Sequence, residues 1–227
     1  MAMQRPAQRR VVTVHDQLNA ERHARGLVTI VDDDDAIREA LASLLHLEGY
    51  AIEAHASAAS YLEKLEHAAP EFPGPQCLLL DVKMPGLSGL ELQRRLIDLC
   101  KATPIVFMSG GSGAPEAVQA LKNGASDFLV KPFDEQALLG AIDETLQKVR
   151  REQASETQRD IAATRISRLS ARELQIAKMV LSGALNRDIA EQLGIAVRTV
   201  KLHRMHMMSK LQVNNVIELA RIMDSHG

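Results

Sequence analysis

The feature that most constrains the fold is a repeated alternation of short apolar runs with amphipathic patterns between residues 27 and 150. A short apolar run is typical of a strand that is buried on both faces, and apolar residues spaced three or four apart are typical of a covering helix. Parallel strands require helical crossovers, so this pattern predicts an α/β domain with a five-stranded, doubly wound parallel sheet. The predicted strands are Leu27–Val31, Tyr50–Ala54, Cys77–Leu80, Ile105–Met108 and Ser126–Val130.

The rest of the chain predicts a second, smaller domain. Residues 1–26 form an extension that we expect to be flexible, and residues 27–148 form the α/β domain. Residues 149–166 are polar and charge-mixed, and they continue the last helical pattern, so we expect a helical linker. Residues 167–227 show only short helical patterns and predict an all-α domain of four helices.

Charge separates these parts and indicates different partners. Residues 27–150 carry 10 Lys or Arg against 19 Asp or Glu, whereas residues 151–227 carry 12 against 8. No apolar run approaches the roughly 20 residues of a membrane helix, and no leader pattern is present, so we expect a cytoplasmic protein. Cys77 and Cys100 lack metal-binding spacing, and we expect reduced thiols in or near the core.

Polar side chains follow the predicted strands at the edge where parallel sheets bind ligands. Asp32 and Asp33 follow the first strand, and Asp81 follows the third. Ser109 follows the fourth strand and Lys131 the fifth. Because these ends share one edge, we expect three carboxylates, a hydroxyl and an ammonium to lie close together.

This combination predicts phosphoryl chemistry. A carboxylate fixed at a strand end, Asp81, is a candidate nucleophile that would form an aspartyl-phosphate. Asp32 and Asp33 would hold Mg²⁺, or Mn²⁺ in its place, while Lys131 and Ser109 would neutralise charge on the phosphoryl oxygens. The next two residues, Asp34 and Asp35, would cap the following helix, as negative charge is favourable there.

The second domain contains two helical patterns joined by a tight turn at Gly194, which is typical of a helix-turn-helix. In the helix after this turn, the predicted core stripe is Val200, His203, Met207 and Leu211. The opposite face carries Arg198, Lys201, Leu202, Met205 and Ser209. This face fits a helix in a DNA major groove, although scattered apolar residues on a basic surface helix are also common.

Two sets of motifs resemble known families. The segments "VDDDD", "LLLDVKMPG", "IVFMSG" and "DFLVKPF" resemble the flavodoxin-like receiver domain of two-component response regulators. The segments "LSARE", "NRDIAEQLGI" and "RTVKLHR" resemble the LuxR-type helix-turn-helix output domain. The whole chain therefore resembles response regulators of the FixJ/NarL family.

The resemblance implies a role for each matching residue. Asp81 would be the phosphoacceptor, and the Mg²⁺ ligands would be Asp32, Asp33, Asp81 and the backbone carbonyl of Lys83. Ser109 and Phe128 would be switch residues, Lys131 would bind the phosphoryl group, and the Lys131–Pro132 bond would be cis. Lys201, Leu202 and Met205 would approach DNA bases, whereas Arg198, Thr199 and Arg204 would lie near the DNA backbone.

The implied function is a DNA-binding transcription regulator rather than an enzyme, with catalysis limited to its own phosphorylation and dephosphorylation. Its partners would be a sensor histidine kinase, promoter DNA, RNA polymerase and a second copy of the chain after activation. The last helix would form the dimer contact between output domains.

Three alternatives remain open at this point. A phosphatase or phosphotransferase could use Asp81, but haloacid-dehalogenase-like enzymes usually carry a second Asp where this chain has Lys83. The receiver could serve only as a scaffold in a constitutive or phosphorylation-independent dimer. It could also mask the recognition helix until it is phosphorylated.

Overall fold

A computed structural model of the protein describes residues 25–67, 72–101, 103–111 and 114–224. The chain divides into two compact units at Arg150 and Arg151, and each unit is described by itself. Most of the predicted extension (residues 1–24) and part of the predicted loop (residues 68–71) lie outside the described residues.

The first unit alternates strands and helices, as the sequence predicts. Its strands are β1 (Leu27–Val31), β2 (Ala51–His55), β3 (Gln76–Asp81), β4 (Ile105–Ser109) and β5 (Asp127–Val130). Its helices are α1 (Asp35–Leu47), α2 (Ala58–Glu66), α3 (Gly89–Asp98), α4 (Ala114–Lys122) and α5 (Glu135–Ile166), the last of which includes the predicted linker. The predicted start of the second strand, Tyr50, is one residue early, because its N–H bonds to the Leu45 carbonyl and ends α1.

The five strands form one parallel sheet in the order β2-β1-β3-β4-β5. This confirms the predicted doubly wound, flavodoxin-like fold. The strand order reverses between β1 and β3, and ligands bind at such a switch point in open α/β sheets. The order therefore brings the end of β1, which leads to Asp32, beside the end of β3, which is Asp81.

Alternate residues of the strands face two separate apolar cores, one on each side of the sheet. Val28 and Ile30 of β1 pack with Leu45 of α1 and Ile142 of α5 on one side. The other side is formed by residues of β1, β3, β4, α3 and α4, among them Val31, Leu80, Leu92, Leu96, Phe107 and Ala120. Since both faces of the sheet are covered, the strands have apolar residues at most positions.

One glycine is required where α3 approaches the site. A Cβ added to Gly89 would clash with the backbone carbonyl oxygen of Asp81, and the Gly89 N–H bonds to the Val82 carbonyl at 3.0 Å. Ser88 and Glu91 form a capping box that begins α3 at this point. The absence of a side chain thus lets α3 begin directly against the end of β3.

Arg25 is tied to the first unit although the sequence placed it in the extension. Its guanidinium lies 4.7 Å from the centre of the Tyr50 ring and forms ion pairs with Glu48 and Asp143. The Tyr50 hydroxyl donates a 2.6 Å hydrogen bond to Asp143, and burial together with this carboxylate raises the pKa of Tyr50. These contacts join the start of β1 to α1 and α5.

The two cysteines differ in their surroundings. Cys77 is buried as expected, and burial raises the pKa of its thiol to about 12. The prediction for Cys100 is wrong, because this residue is exposed. Cys100 ends α3 in a left-handed backbone conformation (φ 53°), with its N–H bonded to the Ile97 carbonyl, and it lies outside both cores.

The second unit is all-helical over its described residues, as predicted. After the end of α5 it contains α6 (Ala171–Leu181), α7 (Asn186–Leu193), α8 (Val197–Leu211) and α9 (Val216–Asp224). Gly194 ends α7 in the left-handed conformation (φ 63°) and forms the tight turn into α8. The core of this unit includes Ile166, Ile176, Ala177, Ile189, Val200, Met207, Leu211 and Leu219. His203, predicted to belong to the core stripe, is only partly buried.

A buried carboxylate joins two helices of the second unit. Glu173 forms a capping box with Ser170 at the start of α6. It also accepts a 2.6 Å hydrogen bond from the ammonium of Lys210 in α8, and its side chain is only 4% exposed. Burial raises the pKa of Glu173, but Lys210 and Ser170 outweigh burial and lower it from 4.5 to about 2.

The lowered pKa predicts how the stability of this unit depends on pH. The contribution is fully present above the ordinary pKa of 4.5 and is lost as pH falls towards about 2. Glu173→Gln should therefore destabilise α6 and α8 by roughly 2–3 kcal/mol at pH 7, with a smaller effect at pH 3. Hydrogen exchange of the backbone amides of α6 and α8 in the full chain measures this.

The matched control is Glu191→Gln, which makes the same change at an exposed position of α7. We expect no change in exchange from this variant. Equal effects of Glu173→Gln at pH 7 and pH 3 would contradict the ionic contribution.

Candidate functional site

Two carboxylates share one ammonium at the carboxyl edge of the sheet. The Nζ of Lys131 lies 2.8 Å from Oδ2 of Asp32 and 2.7 Å from Oδ1 of Asp81. Asp32 is 1% exposed and Asp81 is 6% exposed, so both charged groups are buried. The structure therefore brings together three of the five residues that the sequence placed at this edge.

Backbone N–H groups fix the second oxygen of each carboxylate. The N–H of Asp34 donates to Oδ1 of Asp32 at 2.9 Å, and the N–H of Lys83 donates to Oδ2 of Asp81 at 2.7 Å. Each carboxylate is thus oriented by the loop that follows its own strand. Carboxylate oxygens held in this way need little reorganisation when they react.

Arg38 is a further residue of this region, and the sequence reasoning did not identify it. Its Nη1 donates a 2.8 Å hydrogen bond to the backbone carbonyl of Asp32, and its other amino group pairs with Asp35. The spacing of Asp35 and Arg38 on one helical face is a signal that could have indicated the ion pair. It could not have indicated the bond to Asp32.

The site favours additional positive charge. Burial raises the pKa of Asp81, the negative charge of Asp32 adds to this, and the bonds from Lys131 and Lys83 only partly offset it. For Lys131, burial lowers the pKa, but the two carboxylates outweigh burial and raise it. Both groups therefore hold protons more firmly than usual, which is expected where two carboxylates share a single ammonium.

The donor groups fit a hard divalent cation in type but do not form a complete cage. Among the described residues, no three His, Cys, Asp or Glu side chains come together as a metal site. Asp33, a predicted ligand, is exposed. Mg²⁺ commonly keeps several waters and takes only one or two protein carboxylates, so Asp32 and Asp81 are sufficient for such an ion.

The remaining predicted residues of the site lie on β4 and β5. Ser109 ends β4 and is 1% exposed, and its carbonyl accepts a 2.7 Å hydrogen bond from the N–H of Lys131. Phe128 is half-buried, with its ring centre 6.2 Å from that of Phe107. The peptide bond between Lys131 and Pro132 is cis, as the resemblance implied.

The predicted DNA-facing surface of α8 is largely exposed. Arg198 and Lys201 are exposed, and Leu202 and Met205 have 48% and 58% of their surface exposed to solvent. Large apolar side chains at such exposure, beside cations, are suited to a partner that offers both phosphates and apolar groups. Thr199 is partly buried.

Arg204 has a different environment from the one the sequence suggested. It is partly buried, and its Nη1 donates a 2.7 Å hydrogen bond to the side-chain oxygen of Asn186. This bond joins α8 to the first residue of α7. Arg204 therefore holds the two helices of the helix-turn-helix together in this structure.

The last helix, α9, has one buried side and one exposed side. Leu219 is completely buried in the core of the second unit, whereas Val216 and Ile217 are 42% and 69% exposed. Among the described residues, only one side of this helix is therefore covered. Throughout the described residues, no helix is both long and apolar enough to cross a membrane.

Comparisons with known proteins agree with the fold of both units. The model of the response regulator receiver domain matches residues 28–143, and the model of bacterial regulatory proteins of the luxR family matches residues 167–223.

Individual proteins match over most of the chain. Response regulator protein TmoT of Ectopseudomonas mendocina is 41% identical over 86% of this chain and 87% of its own length. Transcriptional regulatory protein FixJ of Azorhizobium caulinodans is 40% identical over 86% of this chain and 90% of its own. The structure of response regulator StyR is 42% identical, with a TM-score of 0.74, over 88% of this chain and 98% of its own. With a parallel sheet that gathers Asp32, Asp81 and Lys131 and a helical unit that presents α8, the chain belongs to the response regulators that join a receiver domain to a LuxR-type DNA-binding domain.

Proposed function

We propose that this protein is a transcription regulator of a two-component system whose DNA binding is controlled by phosphorylation of Asp81. The observation that carries the proposal is the pair of hydrogen bonds from Lys131 to Asp32 and Asp81 at the carboxyl edge of the sheet. A carboxylate nucleophile beside a fixed ammonium is the arrangement that phosphoryl transfer requires. The donor would be a phosphohistidine of a sensor kinase.

The reaction is a displacement at phosphorus. An oxygen of Asp81 attacks, a P–O bond forms, and the P–N bond to the kinase imidazole breaks. The ammonium of Lys131 can pair with the negative charge that the phosphoryl group adds, because it already lies 2.7 Å from Asp81. A bound Mg²⁺, held by Asp32 and Asp81, would offset negative charge on the phosphoryl oxygens. Asp33 and the Lys83 carbonyl are proposed as additional ligands on the strength of the family resemblance.

The proposed switch involves Ser109 and Phe128. A phosphoryl group on Asp81 offers acceptor oxygens near the end of β4, and the Ser109 hydroxyl would donate to one of them. Phe128 is half-buried beside Phe107, and its ring would change position in response. Phosphorylation can shift this equilibrium only if the phosphoryl group interacts better with the active arrangement.

The proposed output is dimerisation followed by tighter promoter binding. Val118 and Leu121 of α4 and Val130 of β5 are 53%, 47% and 50% exposed, which supports a second copy of the chain as the partner of this face. Val216 and Ile217 of α9 would form a second contact between output domains. The regulator would act in the cytoplasm, where promoter DNA and RNA polymerase are found.

We predict that phosphorylation depends on both buried carboxylates. With acetyl phosphate and Mg²⁺, the intact mass of the wild type should increase by one phosphoryl group. Asp81→Asn should remain unmodified, because an amide is a poor nucleophile. Asp32→Asn should be modified at least about tenfold more slowly, because one ligand of the ion is lost and the orientation of Lys131 changes.

The control for Asp32→Asn is Asp98→Asn, which removes a carboxylate that is exposed at the end of α3. We expect wild-type modification in this variant, and none in the wild type after Mg²⁺ is removed with a chelator. Normal modification of Asp32→Asn would show that the cation site is wrongly assigned.

We also predict that Lys201 contributes directly to DNA binding. A duplex selected by the wild type from a random-sequence pool provides the probe, and affinity is measured over a range of salt concentrations. A phosphate contact predicts that Lys201→Ala weakens all sequences and lowers the salt slope by about 1. A base contact predicts a loss of about tenfold or more for the selected duplex only.

The matched control is Lys178→Ala, which removes the same charge from an exposed position on α6. We expect a smaller loss from this variant than from Lys201→Ala. Equal losses would mean that only the net charge of the domain matters, and the recognition surface would not be α8.

A further inference from the structure

A buried glutamine of α3 holds the end of α4. The Nε2 of Gln93 donates to the backbone carbonyl of Ala120 at 3.1 Å and approaches the carbonyl of Asn123 at 3.5 Å. Ala120 lies in the last turn of α4 and Asn123 directly follows the helix, where carbonyls lack partners inside the helix. Gln93 is 2% exposed, so water does not readily replace these bonds.

The other end of the same amide is not satisfied. The Oε1 of Gln93 is buried and has no hydrogen-bond partner among the described residues. A buried acceptor without a partner destabilises a fold, and each case in a native structure needs an explanation. Gln93 is therefore not optimised for this arrangement of α3 and α4 alone.

Few other contacts fix α4. All nine of its residues are described, and Ala120 alone is fully buried. Val118 and Leu121 of the same helix are exposed. A helix with one fully buried residue has a low cost of local displacement, so a buried hydrogen bond to its last turn contributes to holding it in place.

The last turn of α4 also lies close to Phe128, the proposed switch residue. Ala120 packs in the same apolar core as Phe107, with Phe128 at the edge of that core, and Leu92 and Leu96 of α3 complete this side. The N–H of Ala125 bonds to the Ala120 carbonyl at 3.0 Å. A displacement of Ala120 would therefore shift both the segment that leads into β5 and the side chain of Phe128.

We propose that Gln93 is a positioning residue that holds α4 in the resting arrangement, and that α4 must release this amide when the receiver is activated. We assign the observed bonds from Gln93 to the unphosphorylated protein, in which Lys131 bonds directly to Asp81. The inference rests on the proposed function, because it concerns the switch that phosphorylation operates. Gln93 thus sets how much of the protein is active before any phosphoryl transfer.

The test uses the full chain with Asp81 unmodified. Gln93→Glu places a carboxylate against two carbonyls, and Gln93→Leu keeps a similar volume but removes the donor. Both should speed hydrogen exchange of the backbone amides of residues 120–125 and raise the dimer association constant without phosphodonor by about threefold to tenfold. Gln136→Glu, the same change at an exposed position of α5, is the matched control and should alter neither quantity.

The outcomes separate this inference from the proposed function. Wild-type exchange and dimerisation in Gln93→Leu would overturn the positioning role, and this variant decides the matter if Gln93→Glu does not fold. Faster exchange without increased dimerisation would also overturn it, because α4 would then be loosened with no effect on the switch. If beryllofluoride fails to dimerise even the wild type, the proposed function fails, and the exchange result alone then decides whether Gln93 holds α4.

Discussion

The first unit depends on a single shared charge, the ammonium of Lys131 between Asp32 and Asp81. Two buried carboxylates repel each other, and the fold tolerates them because one cation bonds to both. The sheet order creates this requirement, since the reversal between β1 and β3 places both strand ends side by side. The same surplus of negative charge that makes the site costly makes it suited to bind a cation and to present a nucleophile.

The site connects to the rest of the unit through short backbone links rather than through a large apolar contact. The N–H of Lys131 bonds to the carbonyl of Ser109, so the proposed phosphate-binding residue and the proposed switch hydroxyl lie at paired strand ends. Phe128 lies three residues before Lys131 and packs at the edge of a core that also contains Ala120 of α4. A change of charge at Asp81 could therefore reach the exposed apolar face of α4 and β5 within a few residues.

Much of this arrangement could be predicted from the sequence because it follows from local patterns. Apolar runs predict buried parallel strands, and parallel strands bring Asp32, Asp81 and Lys131 to one edge. Gly194 likewise marks a helix end of the second unit correctly.

Contacts between residues distant in sequence could not be predicted in this way. Glu173 pairs with Lys210 and Gln93 with Ala120, across 37 and 27 positions, and no periodic pattern links the members of either pair. Cys100 was wrongly placed near the core because an apolar neighbourhood does not reveal a left-handed residue at a helix end. The bond from Arg204 to Asn186 could not be predicted either, because it depends on the angle between α7 and α8, and the DNA contact of Arg204 stays a prediction.

The central claim is that a phosphoryl group on Asp81 changes the association state of the chain. The most direct measurement is the mass in solution, by light scattering, of the wild type and Asp81→Asn with Mg²⁺ and beryllofluoride, which occupies the place of the phosphoryl group. The account predicts a monomer that becomes a dimer in the wild type and no change in Asp81→Asn. A wild type that is dimeric with and without beryllofluoride would contradict it and would favour a constitutive dimer in which the receiver is only a scaffold.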